Sequence, residues 1–335
     1  MKAVLLQRRG ANRIALTHFA TKDIPEGTNM LETLGDHLKA LLHDLGGTAK
    51  ALGIAFSSEE AMVRIIEQNT IPPELLRDAL RINGPMLLNQ DCREWVIDCA
   101  AISPKRAPVP AAEKAEGDTA TKTDYYLVGG LPRTHVQHIY EACVKNKILA
   151  SVLQLPPVAL INGFEFANPQ TFQSQAFVLV DVGHLSSTVI VGAKEEIVLI
   201  RSLGYGGNHF MEELILHGAA SFEEIVTMLA EEEVLTVEIA RQSLSELVRL
   251  ISSSIGFFEA RSDEAISKVF VSGGLAKLPT VIKTLAEELR LPCEAWDPFA
   301  NCELNLPRAR VGALTEHLPV LGVACGVAVE ILQGR

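Results

Sequence analysis

Residues 177–210 read FVLVDVGHLSSTVIVGAKEEIVLIRSLGYGGNHF, and their pattern gives the clearest indication of the fold. Near-continuous apolar runs joined by short polar turns predict strands at Ala176–Val182, Thr188–Gly192 and Glu196–Leu203. The glycine-rich turn at 204–208 then leads into a helix. Strands and helices also alternate along the rest of the chain, which indicates an α/β fold built in layers.

The first half of the chain repeats part of this pattern. KAVLLQRR (2–9) and RIALTHFA (13–20) read as two strands joined by a hairpin turn, and the leucine spacing predicts a helix at Met30–Leu45. The segment TVIVGAKEEIVLIRS of the second half matches KAVLLQRRGANRIALTHF in the kind and length of its elements. On this alignment the first half lacks the opening strand of the repeat and the turn that follows it.

The composition limits the classes of protein to consider. The 335 residues exceed the roughly 100–200 of one ordinary domain and predict two or three compact units. Hydrophobic residues make up 48% and charged residues 21%, which excludes a wholly disordered chain. The formal net charge of −11 argues against a nucleic-acid partner, because phosphate contacts need clustered positive charge.

The sequence predicts a cytoplasmic location. The start, MKAVLLQRRG, lacks the apolar core of a signal peptide, and the longest apolar run, 318–329, is shorter than the roughly 20 residues of a membrane span. The six cysteines contain no C-x-x-C pair and are expected to be free thiols in a reducing compartment. We therefore expect a soluble protein of the cytoplasm.

Three further segments affect the organisation. Residues 104–122 contain three prolines and no aromatic side chain, so they bury too little apolar surface to offset their ordering entropy and are predicted to be a flexible loop. We expect a polar loop at Asn168–Gln175, before the strand that opens the second half. The apolar pattern predicts one last helix at Pro319–Leu332.

The turn after the strand Ala176–Val182 is the first candidate site. Asp181 ends the strand, and Gly183, Ser186 and Ser187 offer backbone N–H groups and hydroxyls that suit phosphate oxygens. Asp181 is a candidate ligand for Mg²⁺, which prefers oxygen donors. The alternative reading is an ordinary polar hairpin turn.

Two glycine pairs and a helical charge pair give further signals. Gly273 and Gly274 follow a buried strand and precede a helix, where a ligand could approach the backbone closely. Gly206 and Gly207 also precede a helix. The alternatives are a simple strand-to-helix turn and a helix cap. The third signal is a pair of oppositely charged residues, Glu246 and Arg249, three positions apart on one helix face. Taken alone, this pair indicates only an ion pair on the protein surface.

In this order, the signals resemble the second half of the actin-like nucleotide-binding superfamily. The finer match is to the PilM family, the FtsA-like proteins of type IV pilus assembly. It is carried by FVLVDVG, GYGGNHF, the E-x-x-R helix that runs to SIGFFEAR, the long segment ISKVFVSGGLAKLPTVIKTLAEELRLPCEAWDPFAN, and PVLGVACGVAVEIL. Because Met1–Arg8 matches the strand after the family's first phosphate loop, we expect that loop and the strand before it to be missing.

The resemblance implies a two-lobed actin-like fold with an inserted small α+β subdomain. The first lobe would comprise 1–57 and 130–175, with the insert at 58–129. The second lobe would comprise 176–318 and carry the nucleotide motifs. Its helical subdomain would lie at about 208–262. A last helix, 319–335, would return to the first lobe.

The resemblance also implies an ATP site with Mg²⁺ bound at Asp181. Asp181 and the three small residues after it would form a phosphate loop, and Gly206 and Gly207 would approach the phosphates. Glu246 and Arg249 would reach the ribose and adenine. The residues that would close the adenosine pocket are Gly273, Gly274 and Lys277. No catalytic residue is implied, and any ATPase activity would be weak at most.

The implied role is a scaffold that docks a PilN-like inner-membrane protein and other pilus assembly proteins from the cytoplasm. The protein would thus be attached to the inner membrane only through a partner. Assembly into a homo-oligomer is a further possibility that the resemblance leaves undecided. Two alternatives remain: an active ATPase or small-molecule kinase of the same fold, and a secretion platform that binds no nucleotide.

Overall fold

The computed structural model of the protein describes residues 1–10, 13–25, 27–102, 123–218, 224, 227 and 234–334. The predicted loop 104–122 lies outside these residues, as does part of the predicted helical subdomain. The described chain divides into two compact units. Unit 1 comprises residues 1, 22–44 and 50–156, and unit 2 comprises residues 2–21, 45–49 and 157–335.

Unit 1 contains three helices and five strands among the described residues. Its helices are α1 (Met30–Leu45), α2 (Pro73–Leu88) and α3 (Arg133–Lys145). Its strands are β3 (Leu52–Ala55), β4 (Met62–Asn69), β5 (Trp95–Ile102), β6 (Thr123–Pro132) and β7 (Ala150–Gln154). β3 and β7 form a parallel pair, and the antiparallel sheet β4-β6-β5 packs against α2.

We call β4, β5, β6 and α2 the small subdomain. The alternating burial of β5 places every second side chain on α2, as expected for a sheet with one covered face. Tyr126 is fully buried there, and its hydroxyl donates to the carbonyl oxygen of Ile71 at 2.7 Å. The small subdomain therefore has a core of its own.

Unit 2 contains residues 177–210, with their three consecutive strands. Its strands are β1 (Lys2–Arg9), β2 (Arg13–Thr21), β8 (Ala176–Val182), β9 (Ser187–Ala193), β10 (Glu196–Leu203), β11 (Lys268–Gly273), β12 (Cys293–Ala295) and β13 (Glu303–Leu304). Its helices are α4 (Pro156–Ala167), α5 (Pro169–Ser174), α6 (Gly207–Gly218), α7 (Val234–Glu259), α8 (Pro279–Leu289), α9 (Arg308–His317) and α10 (Gly322–Gln333). Short 3₁₀ turns occupy Gly274–Lys277 and Leu318–Val320.

The main sheet of unit 2 has the order β10-β9-β8-β11-β12. β8, β9 and β10 form an antiparallel meander, whereas β11 runs parallel to β8 and β12. Successive side chains of β8 point to opposite faces. Val178 and Val180 join a core with residues of α6, α7 and α8, while Phe177 and Leu179 join a core with Phe164 of α4.

The first two strands belong to a second sheet, of order β1-β2-β13, in unit 2. They pair as an antiparallel hairpin, and α10 packs against β1. Sequence reasoning assigned residues 1–57 to a first lobe, whereas residues 2–21 cluster here with unit 2. The predicted lobe boundaries remain predictions.

Two local predictions were wrong. The expected polar loop Asn168–Gln175 contains α5, because Pro169 suits a first helical turn and Phe172 is buried against Phe177. The expected single helix Pro319–Leu332 is split at Leu321, whose φ of −96° and ψ of 0° are not helical. Among the described residues, no single helix is long and apolar enough to cross a membrane.

Candidate functional site

The turn between β8 and β9, residues 183–186, is called turn A. The N–H of Gly183 donates to the carbonyl oxygen of Ser186 at 3.0 Å and closes the hairpin. His184, Leu185 and Ser186 are exposed. Within the described residues, their three N–H groups have no hydrogen-bond acceptor, so turn A presents a row of open donors of the kind that binds anions.

Asp181 lies one residue before the end of β8, beside β11. The parallel pairing of the two strands sets Asp181 opposite Ser272, whose hydroxyl donates to Asp181 Oδ1 at 2.6 Å. Burial raises the pKa of the Asp181 carboxyl, while the Ser272 hydroxyl and the nearby charge of Lys2 act in the opposite direction. Asp181 is therefore a half-buried carboxyl group with one oxygen already hydrogen-bonded.

Residues 204–206, which follow β10, form turn B, and turn B and the first residues of α6 pack directly on turn A. The N–H of Gly207 donates to the carbonyl oxygen of Gly183 at 2.8 Å, and that of Asn208 donates to the carbonyl oxygen of His184 at 2.9 Å. A Cβ atom on Gly206 would overlap the carbonyl oxygen of His184. Glycine at this position thus allows the two turns to meet.

The hydroxyl of Ser187 forms a hydrogen bond within the same packed region. It is buried and donates to the carbonyl oxygen of Tyr205 at 2.6 Å, and the Tyr205 hydroxyl donates to the carbonyl oxygen of Ser243 at 2.6 Å. Turn B is therefore anchored both to β9 and to α7. Ser186 is the exposed hydroxyl of the predicted phosphate loop.

Glu246 and Arg249 lie on α7 with their side chains 60% and 71% exposed. Arg249 Nη2 and Glu246 Oε1 are 3.7 Å apart, a loose pair that contributes little to stability. Burial chiefly raises the pKa of Tyr205, and the charges of Glu213 and Glu246 add to this effect. The carboxylate of Glu246 therefore lies near the Tyr205 hydroxyl, which bonds to the same helix.

The turn after β11 approaches β8 closely. Gly273 has φ 92° and ψ −173°, and a Cβ atom there would overlap the carbonyl oxygen of Val182. Gly274 is exposed, and a Cβ atom on it would meet nothing within 4 Å. Lys277, at the end of the following 3₁₀ turn, is exposed. The two glycines therefore differ: Gly273 is sterically required, and Gly274 leaves open space.

The structure brings most of the predicted site residues into contact through turns A and B and the β8–β11 pairing. It adds Ser272 and Lys2, which sequence reasoning missed because their proximity to Asp181 arises from strand pairing and tertiary packing. Arg249 and Lys277 make no hydrogen bond to turn A or turn B in the described part of the chain. Among all the residues that the structure describes, no group of three or more His, Cys, Asp or Glu side chains could hold a metal.

The sequence of the second half matches a known family. The model of the family described as "Type IV pilus assembly protein PilM" matches residues 133–332, more than half of the chain. A solved structure described as the "PilM-PilN type IV pilus biogenesis complex" is similar at 21% identity and a TM-score of 0.79. That match covers 99% of this chain and 95% of the other.

Other solved structures are similar at lower scores. A Bacteroides thetaiotaomicron protein, described as having an actin-like ATPase fold and unknown function, has 10% identity and a TM-score of 0.44 over 88% of this chain and 90% of its own. The ethanolamine utilization protein EutJ of Carboxydothermus hydrogenoformans has 17% identity and a TM-score of 0.42 over 58% and 60%. With its α/β layers and near-full-length match, the chain has an actin-like fold and belongs to the PilM family of type IV pilus assembly proteins.

Proposed function

We propose that this protein is an assembly scaffold of a type IV pilus or related secretion machine. It docks a PilN-like inner-membrane protein from the cytoplasm and binds ATP with Mg²⁺. The family match over residues 133–332 carries this proposal. The near-full-length likeness to a structure described as a PilM–PilN complex supports the choice of partner.

The nucleotide part of the proposal rests on turn A and Asp181. The open N–H groups of residues 184–186 suit phosphate oxygens, and the exposed Ser186 adds a hydroxyl. Mg²⁺ usually keeps several waters and takes one or two carboxylates with phosphate oxygens, so a single Asp181 is compatible with it. These donors fit a nucleotide phosphate and its metal.

The remaining predicted contacts divide between structural and ligand roles. Ser187, Gly206, Gly207 and Gly273 would hold the turns in place, because their groups or close approaches are used inside the protein. The exposed residues would contact the adenosine: Glu246, Arg249, Gly274 and Lys277. Bound ATP would thus meet one group of backbone donors and one group of exposed side chains.

Titration with a fluorescent ATP analogue and Mg²⁺ tests nucleotide binding. We expect saturable binding of the intact chain in the micromolar range and at least about a tenfold loss of affinity in Asp181→Ala, about 1.4 kcal/mol or more. Asp263→Ala, which removes an exposed aspartate of unit 2, is the matched control and should bind as the parent does. Absence of saturable binding in the parent would overturn the ATP proposal and favour a platform that binds no nucleotide.

Capture of a PilN-like segment tests the docking proposal separately. The probe is a peptide of the cytoplasmic segment of a PilN-like protein from the same organism, measured by calorimetry with and without ATP. We expect one peptide per chain, and a composition-matched scrambled peptide should not bind. Failure of the natural peptide to bind under both conditions would overturn the docking proposal without affecting the nucleotide proposal.

A further inference from the structure

The two carboxyl oxygens of Asp181 lie in different surroundings. Oδ1 accepts the hydrogen bond from the Ser272 hydroxyl at 2.6 Å. Within the residues that the structure describes, Oδ2 accepts no hydrogen bond, and it is not one of the buried side-chain atoms that lack a partner. Oδ2 is therefore open to solvent, whereas Oδ1 is already used inside the protein.

The Ser272 side chain is held by its place in the main sheet of unit 2. Ser272 is fully buried in β11, and the register of the parallel strands sets it directly opposite Asp181. The next residue shows how closely the strands approach here, since a Cβ atom on Gly273 would overlap the carbonyl oxygen of Val182. A carboxylate only accepts hydrogen bonds, so the Ser272 hydroxyl is the donor.

This hydrogen bond makes the two oxygens unequal as metal ligands. A cation that bound both oxygens would use a lone pair of Oδ1 and would compete there with the Ser272 hydroxyl. A buried hydroxyl that loses its acceptor has no water to replace it, which is unfavourable. The arrangement therefore favours a cation that meets Asp181 through Oδ2 alone.

Binding through one oxygen suits Mg²⁺ better than Ca²⁺. Mg²⁺ requires near-octahedral geometry, keeps several of its waters and adds one or two carboxylates and phosphate oxygens. Ca²⁺ takes about six to eight oxygen ligands in flexible geometry and also binds carboxylates through both oxygens. A carboxyl group that offers one oxygen thus meets the needs of Mg²⁺ and supplies less than Ca²⁺ can use.

We infer that Ser272 is the positioning residue of Asp181 and makes the nucleotide site select Mg²⁺ over Ca²⁺. Ser272 acts through Asp181 and contacts neither the metal nor the nucleotide, because its hydroxyl is buried and already bonded. The inference rests on the proposed function, since it assigns a metal preference to the same nucleotide site.

Titration of the intact chain with a fluorescent ATP analogue, in Mg²⁺ and separately in Ca²⁺ at equal free concentration, tests the inference. We expect the parent to bind the analogue at least about fivefold more tightly with Mg²⁺ than with Ca²⁺. In Ser272→Ala both oxygens of Asp181 become available, so the ratio of the two affinities should fall below about twofold. Because both affinities are measured on one protein, a mere loss of stability does not change their ratio.

Ser254→Ala is the matched control. Ser254 is also a fully buried serine of unit 2, and its hydroxyl donates to the carbonyl oxygen of Leu250 in α7 at 3.0 Å. Loss of this hydroxyl should leave the parental ratio unchanged. If Ser272→Ala fails to fold, as judged by circular dichroism, Ser272→Cys serves in its place, because a thiol is a weaker donor.

Three results would overturn the inference and leave the nucleotide proposal standing. The first is a parent that binds the analogue equally well with both cations. The second is a parental ratio that persists in Ser272→Ala, and the third is an equal fall of the ratio in Ser254→Ala. Absence of saturable binding with either cation would overturn the nucleotide proposal itself, and this inference with it.

Discussion

At the scale of single residues, Gly273 and Gly274 make a controlled comparison within one motif. Gly273 has a positive φ and no room for a Cβ atom, whereas Gly274 has open space. We expect Gly273→Ala to lower the free energy of unfolding by about 3 kcal/mol, since backbone strain and overlap with Val182 add together. Gly274→Ala should change it by less than about 0.5 kcal/mol. Urea unfolding of both variants measures the difference, and equal stability would contradict the steric argument.

The sequence could predict which residues form this site better than what each residue does. Asp181 and Gly206 were identified from the order of the motifs; in the structure Asp181 lies in β8, two residues before turn A, and Gly206 lies in turn B. The order of the motifs does not show which hydroxyl is exposed and which is already hydrogen-bonded inside the protein. Ser186 and Ser187 are neighbours of the same type, yet only Ser187 is buried and bonded to Tyr205, because side chains alternate at the start of β9.

At the scale of elements, α4 and α10 of unit 2 cross at a contact made of glycines. The aromatic ring of Trp296 packs on Gly163 and Gly322, and a Cβ atom on Gly326 would overlap the backbone of Ala159. Two helices can approach this closely only where one lacks side-chain atoms. The apolar sequence of α10 therefore serves a close helix crossing.

Substitution of Gly326 tests this crossing. Gly326→Ala should lower the free energy of unfolding by about 3 kcal/mol, because the backbone of Ala159 cannot move as a flexible side chain could. The control is Gly312→Ala on α9, where a Cβ atom meets nothing within 4 Å; there a gain of about 0.5–1 kcal/mol is expected. Thermal and urea unfolding report both changes. A loss of less than about 1 kcal/mol in Gly326→Ala would show that the helices can separate.

Elements were predictable where the pattern was local and periodic. α1 and β8 have the predicted bounds, Met30–Leu45 and Ala176–Val182. α5 was missed because four of its six residues are polar, and Phe172 is its only residue in a buried apolar cluster. β13 was missed because two residues carry no periodicity and pair with β2 only through the tertiary fold.

At the scale of the whole molecule, the nucleotide motifs and the small subdomain belong to different compact units. Asp181 lies in unit 2, and α2 with its three strands lies in unit 1. Each unit has its own buried apolar clusters. The length of the chain alone predicted more than one compact unit. The place of residues 2–21 in unit 2 depends on sheet pairing, which length and composition do not encode.

Nucleotide binding and peptide docking are separate proposals, and a substitution at Asp181 is expected to affect only the first. Asp181→Ala should weaken nucleotide binding at least about tenfold while leaving the affinity for the PilN-like peptide within about twofold of the parent. Fluorescence titration and peptide calorimetry on the parent and the variant measure both affinities. A loss of peptide affinity above about fivefold would instead require an energetic coupling of about 1 kcal/mol between the two sites.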